Sequence, residues 1–320
     1  MILNILIIKT SSLGDIIHSF PAIEDIKKNY PESRVDFLVD GTFLSTAKLN
    51  QSIDNFFSIS LRETKNQSFV KRLNNLNEEI NALFKNITYD FVIDFQGLMR
   101  TQIIGSKIKK ISGSKNFMGY NFRSAKEGLL TFLYDKGINV NKEEHAVMRM
   151  KKLAAESLNY ELNKEYEYGF KQEGSDKKNK IIFVHGSSKR NKEYPLAYWK
   201  ELADHLNNFN IDICIPVHGE NQLNYFKEIN KINSRAFKLE TDNFHKIKEE
   251  FNKCSFFIGV DTGLTHICAG LGLSGIFLFG PSDPSKVGPV FDHQRVIKKS
   301  RMTEINPSLI IEMLKEESFD

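Results

Sequence analysis

The chain has 320 residues, 41% hydrophobic and 26% charged, an ordinary globular composition, and it is longer than one hydrophobic core usually grows, so two domains are expected. Its 44 Lys and Arg against 40 Asp and Glu are too evenly balanced to demand nucleic acid as a partner. Cys214, Cys254 and Cys268 are scattered without a CxxC pair, which speaks against a disulfide framework and a zinc site and suits a reducing cytoplasm. In chain order, the opening MILNILIIK lacks the charged leader and small-residue cleavage pattern of a signal peptide, and residues 3 to 8 read as a first core strand. No apolar run reaches the roughly 18 residues of a spanning helix. The Ser and Gly turn in KTSSLGDIIHS, 9 to 19, opens a helix with Asp15 at its start; it runs on through AIEDIKK with Pro21 as a kink, and the strand VDFLV, 35 to 39, follows. The apolar IDNFFSISL, an amphipathic stretch to about residue 87 and the strand YDFVIDF, 89 to 95, extend the alternation. FQGLMR then opens another helix, LMRTQIIGSKIKK at 98 to 110 and NFRSAKEGLL at 121 to 130 mix apolar and basic residues, and EEHAVMRMKKLAAESL, 143 to 158, is a helix closing the first half. The polar stretch from 159 to 179 is the linker candidate, which divides the chain into domains of 1–160 and 161–320.

The second half alternates more cleanly: strand 181 to 185, helix 196 to 206, strand 211 to 217, helix 221 to 229, a helix near 243 to 253, strand SFFIGV, a helix after DTG and strand 275 to 280. Strands alternating with helices imply a parallel sheet covered on both faces, so the fold class is α/β with two doubly wound domains. Ligands of such sheets bind beyond the carboxyl ends of the strands. SSLGD and VDTGLTH both fall at such ends, one in each half. In the second, Asp261, Thr262 and Gly263 join a buried strand to a helix, where free backbone N–H groups and the helix dipole suit a phosphate. Gly263 permits close backbone approach, while Thr262, Thr265 and His266 add side-chain donors; the plainer reading is that Asp261 and Thr262 cap the helix. No GxGxxG fingerprint occurs in either half, which counts against a dehydrogenase.

Five segments, KTSSLGDIIHSFPAI, DFQGLMR, EEHAVMRMKKLA, HGSSKRNKEYP and GVDTGLTHICAGLG with FGPSDPSKVGP, run in order along the chain and together resemble the lipopolysaccharide heptosyltransferases. The resemblance implies a GT-B type glycosyltransferase, two Rossmann-like domains facing across a cleft, that moves L-glycero-D-manno-heptose from ADP-heptose to the first Kdo of Kdo2-lipid A with inversion. An inverting displacement needs one base for the acceptor hydroxyl and cationic or N–H groups for the departing diphosphate; it needs no carboxylate nucleophile. Asp15 matches the family's catalytic aspartate, although an Asp at a helix start is also a favourable charge on the dipole. His18, one turn on, is a neighbour of the base or a packed core histidine. For the donor the resemblance assigns Ser187, Ser188 and Lys192, the phosphate-facing Thr262, Gly263 and His266, and Asp261 near the heptose hydroxyls. Lys192 also counts as catalytic, as the charge opposite the leaving phosphate. Lys189 and Arg190 read as solvated loop charges, and Glu220 in HGENQ stands where the family binds ribose.

For the anionic acceptor the resemblance gives Arg62, Lys65 and Lys126 in the N-terminal domain; family members often carry Arg where Lys126 stands, which weakens bidentate recognition. Asp94 and Gln96 end a strand where they face the acceptor or, for Asp94, cap the strand end. Arg100, Lys107, Lys109 and Lys110 beside apolar residues are placed against an anionic inner leaflet or left as a solvated face. The expectation is therefore a cytoplasmic monomer, peripheral on the inner membrane, with no cofactor, no metal ligands, magnesium at most stimulating, no nucleic-acid partner, and a C-terminal helix packed back on the first domain. The rivals are heptosyltransferase II, another GT-B transferase with a different acceptor or nucleotide donor, and a sugar-nucleotide binding protein without catalysis, whose mark would be a lost base.

Overall fold

The computed structural model describes residues 2–61, 69–170 and 178–317, so Arg62 and Lys65 lie outside the described residues. The chain divides into two units, Met1–Phe170 and Lys171–Asp320.

In the first unit β1 (Asn4–Ile8), β2 (Arg34–Asp40), β3 (Asn55–Ile59), β4 (Phe91–Asp94), β5 (Asn116–Tyr120) and β6 (Lys136–Ile138) form one sheet in the order β3-β2-β1-β4-β5-β6. Its neighbours all pair in parallel. NILII and FVID are nearly continuous apolar runs because a parallel sheet is covered on both faces. Leu6 and Ile8 pack with Ile80 and Phe84 of α4 (Phe69–Phe84) and with Ile104 and Ile108 of α5 (Met99–Ser112). Ile5 and Ile7 are equally buried and, by the two-residue period of a strand, face the other side. Two further helices, α2 (Phe20–Asn29) and α6 (Ala146–Leu158), pack on each other.

The expected helix through Pro21 is two helices. The first, α1 (Leu13–Ile17), stops at His18, and Pro21 occupies the second position of α2. There a missing N–H costs nothing, so the proline starts a helix instead of kinking one. A short α3 (Leu44–Ala47) follows β2.

The second unit repeats the plan. Strands β7 (Lys178–Val184), β8 (Asp212–Val217), β9 (Ala236–Glu240), β10 (Cys254–Val260), β11 (Ser274–Phe279) and β12 (Gln294–Lys298) pair in the order β12-β11-β10-β7-β8-β9, the same order read from the other edge. Its helices are α7 (Leu196–Leu206), α8 (Gly219–Ile232), α9 (Phe244–Asn252), α10 (Gly263–Gly270), α11 (Pro284–Val287) and α12 (Pro307–Lys315). Trp199 and Tyr194 are fully buried in its core beside Ile181, Phe183 and Ile213. The C-terminal helix, expected on the first domain, packs on α7 of its own unit and buries Ile310 and Leu314 in that core.

In both sheets the chain reverses its direction of strand addition beside the first strand, between β1 and β4 and between β7 and β10. Open α/β sheets bind ligands beyond the carboxyl ends of the strands at such a reversal. Register aligns Ile8 with Asp94 in the first sheet and Val184 with Gly259 in the second. Each pair of loops therefore leaves its sheet at one level.

Candidate active site

At the first reversal, β1 runs into Lys9-Thr10-Ser11-Ser12 and then α1. Asp15, half-buried, is the third residue of that helix, and its Oδ2 accepts from the Ser12 N–H at 3.0 Å and the Ser12 hydroxyl at 2.9 Å. The capping role is thus real, but it uses one oxygen of two and leaves Oδ1 for a proton from outside. Burial works to raise this carboxyl, yet Lys9 beside it, the Ser12 N–H, His18 and the Ser12 hydroxyl outweigh burial and hold it down at about 2. Lys9 is itself buried, with Nζ 3.5 Å from the Phe95 carbonyl. Burial lowers the pKa of its amine, Asp15 and Asp94 push the other way, and Lys126 and Arg149 add to the lowering.

The loop after β4 supplies the second wall. Asp94 is fully buried and accepts from the Gln96 N–H at 2.8 Å, the Gly97 N–H at 3.1 Å, the Thr101 hydroxyl at 2.8 Å and the Tyr134 hydroxyl at 2.8 Å. Burial raises its pKa despite these four bonds. Asp94 therefore organises the strand end, and the acceptor-facing reading is withdrawn because its lone pairs are already engaged. Gln96 ties the two loops together, its Oε1 accepting from the Ser11 N–H at 3.2 Å. Gly97 has φ +65°, and a side chain there would meet the Tyr120 ring at 3.1 Å, so the turn and the close approach both call for glycine.

Lys126 is exposed in the loop after β5. That loop is pinned to α5 where the Glu127 N–H reaches the Gly97 carbonyl at 3.0 Å and Glu127 Oε2 accepts from the Met99 N–H at 2.7 Å. Arg149 of α6 lies 4.8 Å over the buried Tyr120 ring and donates to the Ser124 carbonyl at 2.7 Å. His18 meets His145 edge to face at 5.8 Å, and His145 caps α6 by accepting from the Val147 N–H. The first site is thus a carboxylate among cations.

Three members of the basic cluster on α5 have partners within the unit. Lys109 pairs with Asp135 at 2.5 Å, Lys107 donates to Asn77 Oδ1, and Arg100 Nη2 reaches the Ser11 hydroxyl at 3.3 Å; Lys110 is exposed.

At the second reversal, Lys192, on the single 3-10 turn after β7, reaches across to Asp261 at the end of β10, with Nζ 2.5 Å from Oδ2. His266 Nε2 lies 3.4 Å from Oδ1 of the same carboxylate. Burial pushes Asp261 up, but hydrogen bonds from His266, Lys192 and Ser282 override it and hold this carboxyl below the usual range. Thr262 is the N-cap residue of α10 in extended conformation, and Thr265 donates to the Val260 carbonyl at 2.6 Å. That close first turn needs Gly259, where an added side chain would meet Thr265 Oγ1 at 2.5 Å. Ser187 is half-buried and shapes its loop by accepting from the Lys189 N–H at 3.4 Å, while Ser188, Lys189 and Arg190 are exposed. Glu220 is exposed in the first turn of α8, directly after Gly219 with φ +71°. The second site accordingly gathers Lys192, Asp261, Thr262, Gly263 and His266; Ser187 and Glu220 leave neighbouring strand ends.

Lys9, Arg149 and Ser282 were not singled out by sequence reasoning. Lys9 and Arg149 sit inside the quoted KTSSLGD and EEHAVMRM segments, and a lysine directly after a continuous apolar strand was the signal available.

A model of glycosyltransferase family 9 (heptosyltransferase) matches residues 80–308. Lipopolysaccharide heptosyltransferase 1 of Escherichia coli (strain K12) is 25% identical over 320 residues, spanning 98% of this chain and 99% of the relative. The protein of the same description from Pseudomonas aeruginosa is 26% identical over 291 residues, 89% of this chain and 81% of the relative. Among solved structures, E. coli heptosyltransferase WaaC with ADP superimposes with TM-score 0.90 at 23% identity, covering 99% of this chain and 100% of that one. E. coli ADP-heptose lps heptosyltransferase II gives 0.79 at 16% identity, covering 98% of each. These two share the fold, two Rossmann-like units of GT-B type.

Proposed function

Because the chain belongs to glycosyltransferase family 9, we propose that it is a heptosyltransferase of the first kind, transferring L-glycero-D-manno-heptose from ADP-heptose to the first Kdo of Kdo2-lipid A in lipopolysaccharide inner-core synthesis. The observation that carries this reading is the pairing of sites at equivalent points of the two sheets. The first unit presents a carboxylate with one oxygen uncommitted, and the second a lysine beside a helix N-terminus. Relatives described as lipopolysaccharide heptosyltransferase 1 match nearly the whole chain.

In this mechanism the acceptor hydroxyl attacks the anomeric carbon from the face opposite ADP. The new C–O bond forms as the bond to the diphosphate oxygen breaks, and the hydroxyl proton passes to Asp15 Oδ1. The departing diphosphate takes the electron pair of the broken bond, and its growing charge meets Lys192 Nζ and the N–H groups of Thr262 and Gly263. Asp261 and His266 hold Lys192 and the turn in place and face the heptose hydroxyls; Ser187 and Ser188 meet the diphosphate and Glu220 the ribose. Acceptor anions fall to Lys126 and Gln96, with Arg62 and Lys65 beyond the described residues, and Lys9 and Arg149 add positive charge to the same rim. Base and donor groups belong to different units.

An acceptor anchored in lipid puts the enzyme at the cytoplasmic face of the inner membrane as a peripheral protein. Among the described residues no helix is long and apolar enough to cross a membrane. Incubation with ADP-heptose and Kdo2-lipid A should add the mass of one heptose to the lipid. Reaction only with an acceptor that already carries a heptose would instead make it the second enzyme of the series.

A further inference from the structure

The first unit carries an apolar surface that its own fold does not use. Among the described residues nine large hydrophobic side chains are exposed, and five of them, Met99, Ile103, Phe122, Leu129 and Phe132, fall between residues 99 and 132. Phe122, Leu129 and Phe132 are 69%, 70% and 74% exposed, more than an isolated surface apolar residue needs explained but unusual for three within eleven positions of one loop.

The loop is held in place. Gly128 packs against Phe122, the Gln102 side chain donates to the Glu127 carbonyl at 2.8 Å, and the Thr131 hydroxyl bonds the Gly128 carbonyl at 2.8 Å. The single 3-10 turn Thr131–Leu133 rests on α5, the helix that carries Met99 and Ile103, and Leu133 beside Phe132 packs into the core. Phe132 is outward because Leu133 is inward. The loop also reaches the catalytic rim through the Glu127 N–H on the Gly97 carbonyl.

Charge identifies the partner. Between residues 98 and 134 stand seven Lys and Arg against one Glu, a local charge of +6 in a chain whose net charge is +4. Lys109 is paired to Asp135, while Lys110, Lys115, Arg123 and Lys126 of the same stretch are exposed. Aromatic and aliphatic side chains amid Lys and Arg are the chemistry of an anionic bilayer surface, where the rings enter the headgroup boundary and the cations meet lipid phosphates. We propose that Phe122, Leu129 and Phe132 dock the first unit on an anionic lipid bilayer and so hold the Asp15 rim at the membrane surface. This deepens the lipid-acceptor reading and rests on it for its purpose.

The test separates the two. Intact protein is mixed with vesicles of phosphatidylethanolamine and phosphatidylglycerol containing no acceptor, and with phosphatidylcholine vesicles, and bound protein is measured by flotation. Wild type should float with the anionic vesicles, at least tenfold more than with neutral ones. The variant Phe122→Ser/Leu129→Ser/Phe132→Ser should lose at least tenfold of that binding while transferring heptose to a deacylated, water-soluble Kdo acceptor within about twofold of wild type. Equal flotation of variant and wild type, or none by wild type, would overturn the docking surface. Absence of transfer to the soluble acceptor by wild type would fail the functional reading and leave the flotation result standing. Phe122→Trp gives a second readout that does not depend on the triple variant folding. Trp199 is the chain's one tryptophan and is fully buried, so emission from position 122 should shift to the blue on anionic vesicles; an unshifted spectrum counts against insertion.

Discussion

Lys9→Met isolates what makes Asp15 acidic. Methionine keeps an unbranched stem in the buried position at the end of β1 and removes only the charge. In the wild type Asp15 sits at about 2 against an ordinary 3.8, a preference for the charged form of roughly 2 kcal/mol at about 1.4 kcal/mol per unit. Burial is the largest influence on the group and acts upward, and Lys9 is the largest acting downward. With Lys9 gone, burial is opposed only by the Ser12 bonds and His18 among the leading influences, and the carboxyl should move up toward its ordinary value. The acid limb of log kcat/KM should then move to higher pH than in the wild type. The same change alters stability. A carboxyl held below its unfolded value stabilises the fold above pH 4 or so and loses that contribution as pH falls toward about 2, so Lys9→Met should lack Asp15's share of the acid-induced loss. Profiles measured with a soluble acceptor, together with an NMR titration of the Asp15 carboxyl, read both effects. A variant that stays folded yet titrates at the wild-type position would refute the claim that Lys9 sets this group.

Asp15→Asn should lower kcat by at least about 100-fold with ADP affinity unchanged by calorimetry, since a positioned base is worth that much; a loss under tenfold would remove Asp15 from the role. Lys192→Ala should reduce turnover at saturating donor more than it weakens donor binding, because the phosphate gains charge only as it departs, and equal effects on both would make Lys192 a binding residue alone. Lys126→Ala should raise the acceptor KM about fivefold, equivalent to about 1 kcal/mol, while sparing the donor constant, and added salt should harm the wild type more than the variant. Lys151→Met leaves Asp25 buried and without its partner, both side chains being nearly inaccessible, and should cost about 3–5 kcal/mol of stability in denaturant melts.

Both sheets were legible where strands lie in the middle of the sheet, because NILII, FVID and SFFIGV are buried on two faces and therefore continuously apolar. The edge strands β6, β9 and β12 were missed, and KGI, AFKLE and QRVIK show why. They are short or half exposed, so no unbroken apolar run marks them. NFMGY of β5 is buried but begins with a polar residue and contains a glycine. The strand-to-helix turn at Asp261–Gly263 was readable because its strand, N-cap and helix are local in sequence. Lys9 and Arg149 were not, because their charge acts on residues brought near only by the order of strands. Asp94 failed in the same way: the hydroxyl of Tyr134 that engages it lies 40 residues away.

An aspartate at about 2 is a weak base at neutral pH, and that places limits on how the proposed transfer can proceed. A sugar hydroxyl does not surrender its proton to such a group before attack. As its oxygen bonds to the anomeric carbon it takes on positive charge and becomes strongly acidic, and only then does transfer to Asp15 run downhill. The carboxylate therefore serves by position and by negative charge near a carbon that turns cationic as the diphosphate leaves. On this reading the greater share of the barrier lies in departure, where Lys192 and the α10 N-terminus act. The resting enzyme keeps Lys192 against Asp261 at 2.5 Å, so an incoming donor must draw that lysine from one anion to another. The pair thus holds the cation oriented before substrate arrives, and Lys9 does the converse at the other sheet, where its charge works to hold the Asp15 carboxyl below its ordinary pKa.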